Sequence, residues 1–260
     1  MSSTIWNQVT VVVPFRLASN RFPNKALCRY RGKTLLEHAI DNGAAVGPRR
    51  IVFTGPSEDL EVIGRELDLE RLGRGLACPL VVRPTAITCK SAHERVLELY
   101  RDFDDDLFLT LPIDEPAIRP SELLRVVDGL DAFGSAGIIT FYCDFFAEQD
   151  YLSPLSAKVV TDRRGMMLYM SRGSIPVRKD GSVDPAMLKK NVGAFLFRRG
   201  FLDQLVAAAD VPTELDRHEG CEQLRWLELG LAVKCLEIEH IGFGIDVPEQ
   251  VASLEERVGC

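Results

Sequence analysis

Four short apolar runs rich in β-branched residues, "VTVVVPF" (9–15), "RIVFTG" (50–55), "PLVVRP" (79–84) and "DLFLTLP" (106–112), recur through the first half of the chain. Runs of this length without polar alternation are strands buried on both faces. The amphipathic stretches near 33–47, 57–69, 90–101 and 120–133 have the length of helices. This β-α-β-α alternation restricts the fold to an α/β class with a mostly parallel, doubly wound, Rossmann-like sheet and right-handed crossovers.

The second half is less regular. Segments 137–145, 157–162, 165–172, 191–197 and 233–239 read as strands, close enough in places to pair antiparallel, so a small antiparallel extension is expected. "TDRRGMM" (161–167) has the form of a hairpin turn, with Gly165 supplying the permissive backbone. Helices are expected over 199–209, 214–229 and 247–257, the last opened by Pro248. The polar loop 177–190 is long enough to act as a flap. Neither half is set off by a linker and no repeat is present, so a single domain spanning 1–260 is expected.

The formal net charge is -7, which disfavours nucleic acid and anionic membranes as partners. No apolar segment approaches the roughly 20 residues that span a bilayer, and Met1–Thr10 lacks the pattern of a signal peptide, so a cytoplasmic location is expected. The cysteines at 28, 78, 89, 143, 221, 235 and 260 are scattered and contain no CxxC, arguing against a disulfide framework or structural zinc. Cys89 with His93, and His218 with Cys221, have ligand-like spacing, but two ligands do not make a site.

Against this acidic background, "RLASNRFPNK" places Arg16, Arg21 and Lys25 just after the first strand. In an open parallel sheet that position opens into the ligand crevice. The three cations, with Ser19, Asn20 and backbone N–H groups, suit a polyphosphate. The loop is neither GxxxxGK[ST] nor GxGxxG, and "GRG" at 73–75 follows no strand, which excludes P-loop and dinucleotide patterns. "LPIDEP" carries Asp114 and Glu115 to the same sheet edge, and "GFGIDVPEQ" adds Asp246. Taken alone, either acid reads equally as an N-cap. Together with a phosphate loop, separated carboxylates suit Mg²⁺.

These segments resemble the family of CMP-sugar-acid cytidylyltransferases typified by 3-deoxy-manno-octulosonate (Kdo) cytidylyltransferase. "VVVPFRLASNRFPNKAL" is similar to PARxxSxRxPGKxL, "IDEPAIRP" to GDEPxIxP, "LYMSRGSIP" to LYFSRxxIP, "CEQLRWLELG" to LEQLRxLExG and "GIDVPEQV" to GVDTPEDL. The resemblance implies a nucleotidyltransferase fold, usually a homodimer, that uses CTP and Mg²⁺ to transfer CMP to an anionic acceptor. It implies that Arg16 and Lys25, with Asp114, carry the catalysis. Pro14, Ser19, Asn20 and Arg21 would join them around the triphosphate. Ser91, Ala92 and Arg95 of "KSAHER", where the family has SGTER, would recognise cytosine. Asp114 and Asp246 would hold Mg²⁺.

On the acceptor side the chain departs from the pattern. QGDEP is replaced by Pro112 and Ile113 before Asp114, and RHLGIYxY by "KNVGAFLF", which puts Asn191 and Phe195 where the family has His and Tyr. Arg172, Lys190, Asn191, Phe195, Glu219, Glu222 and Gln223 are the expected acceptor residues, with Lys158 and Lys189 as looser candidates. A hydroxyl-rich sugar acid needs polar partners. With these departures the chain resembles a divergent branch of the family that activates small phosphonates, and that resemblance implies a phosphonate such as phosphonoformate as the expected acceptor, the alternative being a Kdo-type sugar acid. Two other classes compete. A glycosyltransferase would use a DxD motif, but "DFDDD" (102–106) precedes its strand and reads as a solvated turn. A non-catalytic CTP sensor would be expected to have lost Lys25, Asp114 or Asp246.

Overall fold

The computed structural model describes residues 5–18, 21–130, 137–239 and 244–258. Its strands are β1 (Val9–Pro14), β2 (Arg29–Tyr30), β3 (Lys33–Thr34), β4 (Arg50–Gly55), β5 (Leu80–Pro84), β6 (Leu107–Thr110), β7 (Ile138–Asp144), β8 (Lys158–Thr161), β9 (Met167–Ser171), β10 (Lys189–Arg198) and β11 (Val233–Glu237). A nine-stranded sheet has the order β11-β7-β10-β6-β1-β4-β5, with β8 on β10 and β9 on β8, while β2 and β3 form a separate ribbon.

Strand β1 is buried along its whole length because helices cover both faces. Val9, Val11 and Val13 enter one core with Ile51, Phe53, Leu109 and Leu196. The intervening Val12 enters the other with Val52, Phe108, Phe195 and Phe197. This is the two-residue period of a strand read out on two covered faces. Each such side chain, fully buried, is worth about 1.5–3 kcal/mol.

Strand β1 runs parallel to β4 and β6, and β4 parallel to β5. The expected parallel, doubly wound sheet is therefore present, and sequential strands diverge on either side of β1. The antiparallel part is not a mere appendage: β10 runs antiparallel between β6 and β7, inside the sheet. Its register slips between Val192 and Phe195, a bulge that re-aims the side chains before it.

The Leu35–Ala45 helix begins with a capping box, Thr34 accepting the Glu37 N–H and Glu37 accepting the Thr34 N–H. The helix expected over 214–229 is divided into Leu215–Glu219 and Gln223–Glu228, because Gly220 turns left-handed at φ 64°. Gly165, at φ 74°, makes the expected β8–β9 turn. The 177–190 loop is more structured than its composition implies. Val177 bridges Val183, Arg178 pairs with Asp184 at 2.6 Å, and Leu188 is fully buried.

"DFDDD" does precede its strand, but the expectation of a wholly solvated turn fails at Asp105. That carboxylate is buried, accepts from Thr10 Oγ1 at 2.6 Å and pairs with Arg49 and Arg50, each at 2.9 Å. It ties the amino ends of β1, β4 and β6. Among the described residues no helix is long and apolar enough to cross a membrane.

Candidate active site

Strand order reverses about β1, so a crevice opens beyond the carboxyl ends of β1 and β6. Pro14 and Phe15 floor it from β1, and Arg16 follows, exposed. Ser19 and Asn20 lie outside the described residues. The chain returns through Asn24, held left-handed at φ 57° and ψ 23°, into a short Lys25–Leu27 helical turn. That turn buries the Lys25 stem and brings Nζ to 2.9 Å from Asp114 Oδ2 and 3.6 Å from Asp246 Oδ1. Arg21 approaches Asp246 at 3.9 Å.

The two acids come from distant segments by a specific docking. Leu111 continues the sheet by donating its N–H to Val12 O at 2.9 Å, delivering 112–114 to the crevice. Ile245 N–H then donates to Asp114 O at 2.8 Å. A side chain at 244 would meet Glu115 Oε1 at 3.2 Å, so Gly244 permits that approach. Gln250 Oε1 accepts the N–H groups of Asp246 and Val247 at 2.5 and 3.0 Å, fixing the turn before the Glu249–Val258 helix.

The third wall is the start of the Ala92–Leu99 helix. Lys90, Ser91, Ala92 and Arg95 line the cleft, with Lys90 an addition that sequence reasoning missed although it adjoins the "SAHER" segment. Ser91 caps the helix, its Oγ accepting the Glu94 N–H at 3.3 Å. Arg95 is buried and donates to Thr85 Oγ1 at 2.5 Å and to the carbonyls of Ala86 and Cys89. Burial lowers its pKa from the ordinary value. It holds the 85–89 loop against the cleft.

A second cavity lies beyond the acids, lined among others by Arg172, Lys190, Asn191, Cys221 and Gln223. Arg21, Asp114 and Asp246 line both cavities. The bulge in β10 places Lys190 and Asn191 here. Lys190 is buried and pairs with Glu115 at 2.5 Å. Burial pulls its pKa down, but the attraction of Glu115 outweighs this and the net shift is upward. Asn191 donates to Thr140 Oγ1 and Phe141 O, both at 3.1 Å. Arg172 donates to the carbonyls of Leu155 and Gly220.

The remaining acceptor candidates are placed elsewhere. Phe195 is core, packed edge-on against Trp226 at 5.5 Å. Glu219 accepts from Ser171 Oγ at 2.9 Å and Arg172 N–H at 3.1 Å, bracing the end of β9. Glu222 pairs with His93. Lys158 is fully buried, with Nζ donating to the carbonyls of Ser153, Ser156 and Arg172 at 2.6, 2.9 and 3.0 Å. Burial, with Arg172 nearby, pulls its pKa down to about 8. Lys189 pairs with Asp144 and Glu237.

Among the described residues no group of three or more His, Cys, Asp or Glu side chains is arranged to hold a metal. The Asp114–Asp246 pair is a two-carboxylate donor set. Its oxygens converge on one cation, the Lys25 ammonium, and hard oxygens so disposed fit Mg²⁺ when phosphate and water complete the shell.

Comparison with known proteins gives a concordant picture. A family profile described as Cytidylyltransferase matches residues 76–238. The chain is 31% identical over 262 residues to a 3-deoxy-manno-octulosonate cytidylyltransferase of Syntrophotalea carbinolica, covering 96% of this chain and 98% of the relative. A relative of the same name from Pectobacterium carotovorum is 30% identical, covering 94% and 95%. Among solved structures, a CMP:2-keto-3-deoxy-manno-octonic acid synthetase complexed with CTP superposes with a TM-score of 0.77 at 22% identity, covering 96% and 98%. A 4-diphosphocytidyl-2C-methyl-D-erythritol synthase from Anaerococcus prevotii gives 0.62 at 11% identity, covering 99% of each chain.

Proposed function

The chain belongs to the cytidylyltransferase family and is a CTP-dependent nucleotidyltransferase, and on that premise we propose that it joins CMP to a small anionic acid at the seam between its two cavities. The observation that carries this reading is the sharing of Arg21, Asp114 and Asp246 by both linings. A nucleotide in the first cavity and an acceptor in the second meet at those residues.

The acceptor oxygen attacks the α-phosphorus, a new P–O bond forms, and the bond from the α-phosphorus to the α–β bridging oxygen breaks to release pyrophosphate with that oxygen. A hydroxyl acceptor also gives up its proton to solvent, whereas an anionic oxygen has none to lose. Arg16, Arg21 and Lys25 face the phosphates. Charge grows on the departing pyrophosphate, so fixed cations stabilise the transition state more than the ground state. Lys25 is pre-positioned, its side chain only 11% exposed. Asp114 and Asp246 would hold Mg²⁺, which when bound neutralises phosphate charge. The Ser91 end of the Ala92–Leu99 helix faces the base, and Arg95 supports that wall. The enzyme would act in the cytoplasm, and a homodimer is carried over from the family resemblance.

The names of the relatives support a 2-keto sugar acid of the 3-deoxy-manno-octulosonate kind as acceptor. One observation favours a second reading, a small phosphonate. At the two positions where the family has His and Tyr, the Asn191 amide donates into the sheet and Phe195 is sealed in the core. Few partners then remain for sugar hydroxyls. A phosphonate oxygen is also already anionic, so it needs no base, and the Glu115 carboxylate of this cavity is engaged by Lys190.

Pyrophosphate release from CTP with a panel of 2-keto sugar acids and short phosphonates tests both readings. Turnover with the sugar acids alone supports the first and turnover with phosphonates alone the second. No turnover with either, while the protein is folded and binds CTP, contradicts both.

A further inference from the structure

The Lys90–Ala92 edge of the first cavity and the Cys221 and Gln223 wall of the second come from segments more than a hundred residues apart, and a contact between His93 and Glu222 joins them. Glu222 lies between Cys221 and Gln223, which line the second cavity. Its own carboxylate turns away, with Oε2 2.8 Å from His93 Nδ1. That same nitrogen is 2.9 Å from Ser91 Oγ, whose residue lines the nucleotide cleft. Ser91 also hydrogen-bonds Glu222.

A Ser–His–acid relay uses both ring nitrogens. Here a single Nδ1 serves both contacts, so the trio is not a nucleophile. Its geometry is that of a clamp: Glu222 accepts from the imidazole and from the serine hydroxyl, and Ser91 Oγ caps the helix behind it. The His93 ring is held edge-on to buried Trp226 at 5.5 Å, so it has little freedom to leave. Glu94 and Arg225 also act on His93, and Arg172 on Glu222.

We infer that His93 and Glu222 are positioning residues for CMP transfer, fixing the Lys90–Ala92 edge of the nucleotide cleft against the acceptor wall. The inference rests on the cytidylyltransferase reading above. Without the clamp, Ser91 keeps only its helix-cap bond from the Glu94 N–H, and the base-facing edge loses this tie to the wall that holds the acceptor. In-line attack tolerates little such play, since a displacement of about 1 Å costs on the order of 100-fold in rate.

The test compares wild type with Glu222→Gln, which keeps volume, His93→Ala, the double variant, and His93→Asn, which restores an N–H near the Nδ1 position. CTP affinity is read by calorimetry and turnover by pyrophosphate release. Expected are a rise of about tenfold in Kd and KM for CTP in Glu222→Gln and His93→Ala, no further rise in the double variant, and recovery to within about threefold in His93→Asn. Unchanged CTP affinity in both single variants overturns the inference, as does an additive loss in the double variant. If wild type binds CTP but transfers nothing, the functional reading fails, and the affinity series still decides the clamp.

Discussion

Lys25 owes its position to one backbone torsion. Asn24 sits at φ 57° where the family pattern has glycine, and asparagine is among the few side chains that tolerate this region. Asn24→Gly should change unfolding free energy by less than about 0.5 kcal/mol, whereas Asn24→Val should cost about 1–2 kcal/mol and lower kcat through displacement of Lys25. Chemical denaturation and steady-state rates check both. Lys25→Ala and Asp114→Ala should each lower kcat/KM by at least about 100-fold while leaving the melting temperature close to that of wild type. Cations placed just after a strand were legible in the sequence because the crevice position follows from the fold class alone. The partners of Arg95, Lys158 and Glu222 were not, since each depends on carbonyls or side chains brought in by tertiary packing.

Strands β1, β4 and β6 could be read from the sequence to within a few residues because burial on both faces leaves an unbroken apolar run. Strand β5 was placed as well, but the burial expected for it on both faces is not found, since it is the edge strand and Val82 to Pro84 are exposed. The 214–229 segment could not, because its helical periodicity passes through Gly220 and only the positive φ there shows the break. The ribbon of β2 and β3 and the Glu148–Leu152 helix are too short to carry a period. Asp105 acts at this scale, since Thr10 from β1, Arg49 just before β4 and Arg50 from β4 meet on its carboxylate. Asp105→Ala should cost about 3 kcal/mol in denaturant unfolding without changing the KM for CTP, because it lies at the opposite end of the strands.

The clamp between the Ala92–Leu99 and Gln223–Glu228 helices has its own pH signature. Burial, the largest single influence, would lower the pKa of His93, but Glu222 with Glu94 together raise it above 6.5; burial would likewise raise that of Glu222, but His93 with Ser91 and Arg172 together lower it below 4.5. The histidine's contribution is complete below pH 6.5 and fades as pH rises through the raised value. The glutamate's is complete above pH 4.5 and fades as pH falls through the lowered value. The melting-temperature gap between wild type and Glu222→Gln should therefore be widest between those two limits and narrow towards alkaline pH.

For the whole molecule, the reversal of strand order about β1 gathers residues from 14 to 246 into one crevice. That Arg16, Arg21, Lys25, Ser91, Arg95, Asp114 and Asp246 gather in one crevice was readable from motif order, whereas the second cavity depends on a bulge in β10 and on buried pairs that no local pattern announces. The cysteines report on the packed state as a unit. Burial pushes the thiols of Cys143 and Cys235 up to about 12, and Cys89 and Cys221 are also buried. In native protein at pH 8, alkylation followed by mass spectrometry should find, among the cysteines of the described residues, these four protected and Cys28 and Cys78 modified, the protection disappearing in one step on unfolding.

The central claim is transfer at the α-phosphorus across the seam at Asp114 and Asp246, and phosphorus NMR of the reaction products tests it most directly. With CTP, Mg²⁺ and the acceptor identified by the panel, wild type should yield pyrophosphate and a CMP–acceptor adduct in equal amounts, and Asp114→Ala and Asp246→Ala should yield neither. Release of inorganic phosphate with CDP, or an adduct formed at the wild-type rate by either variant, would contradict the account.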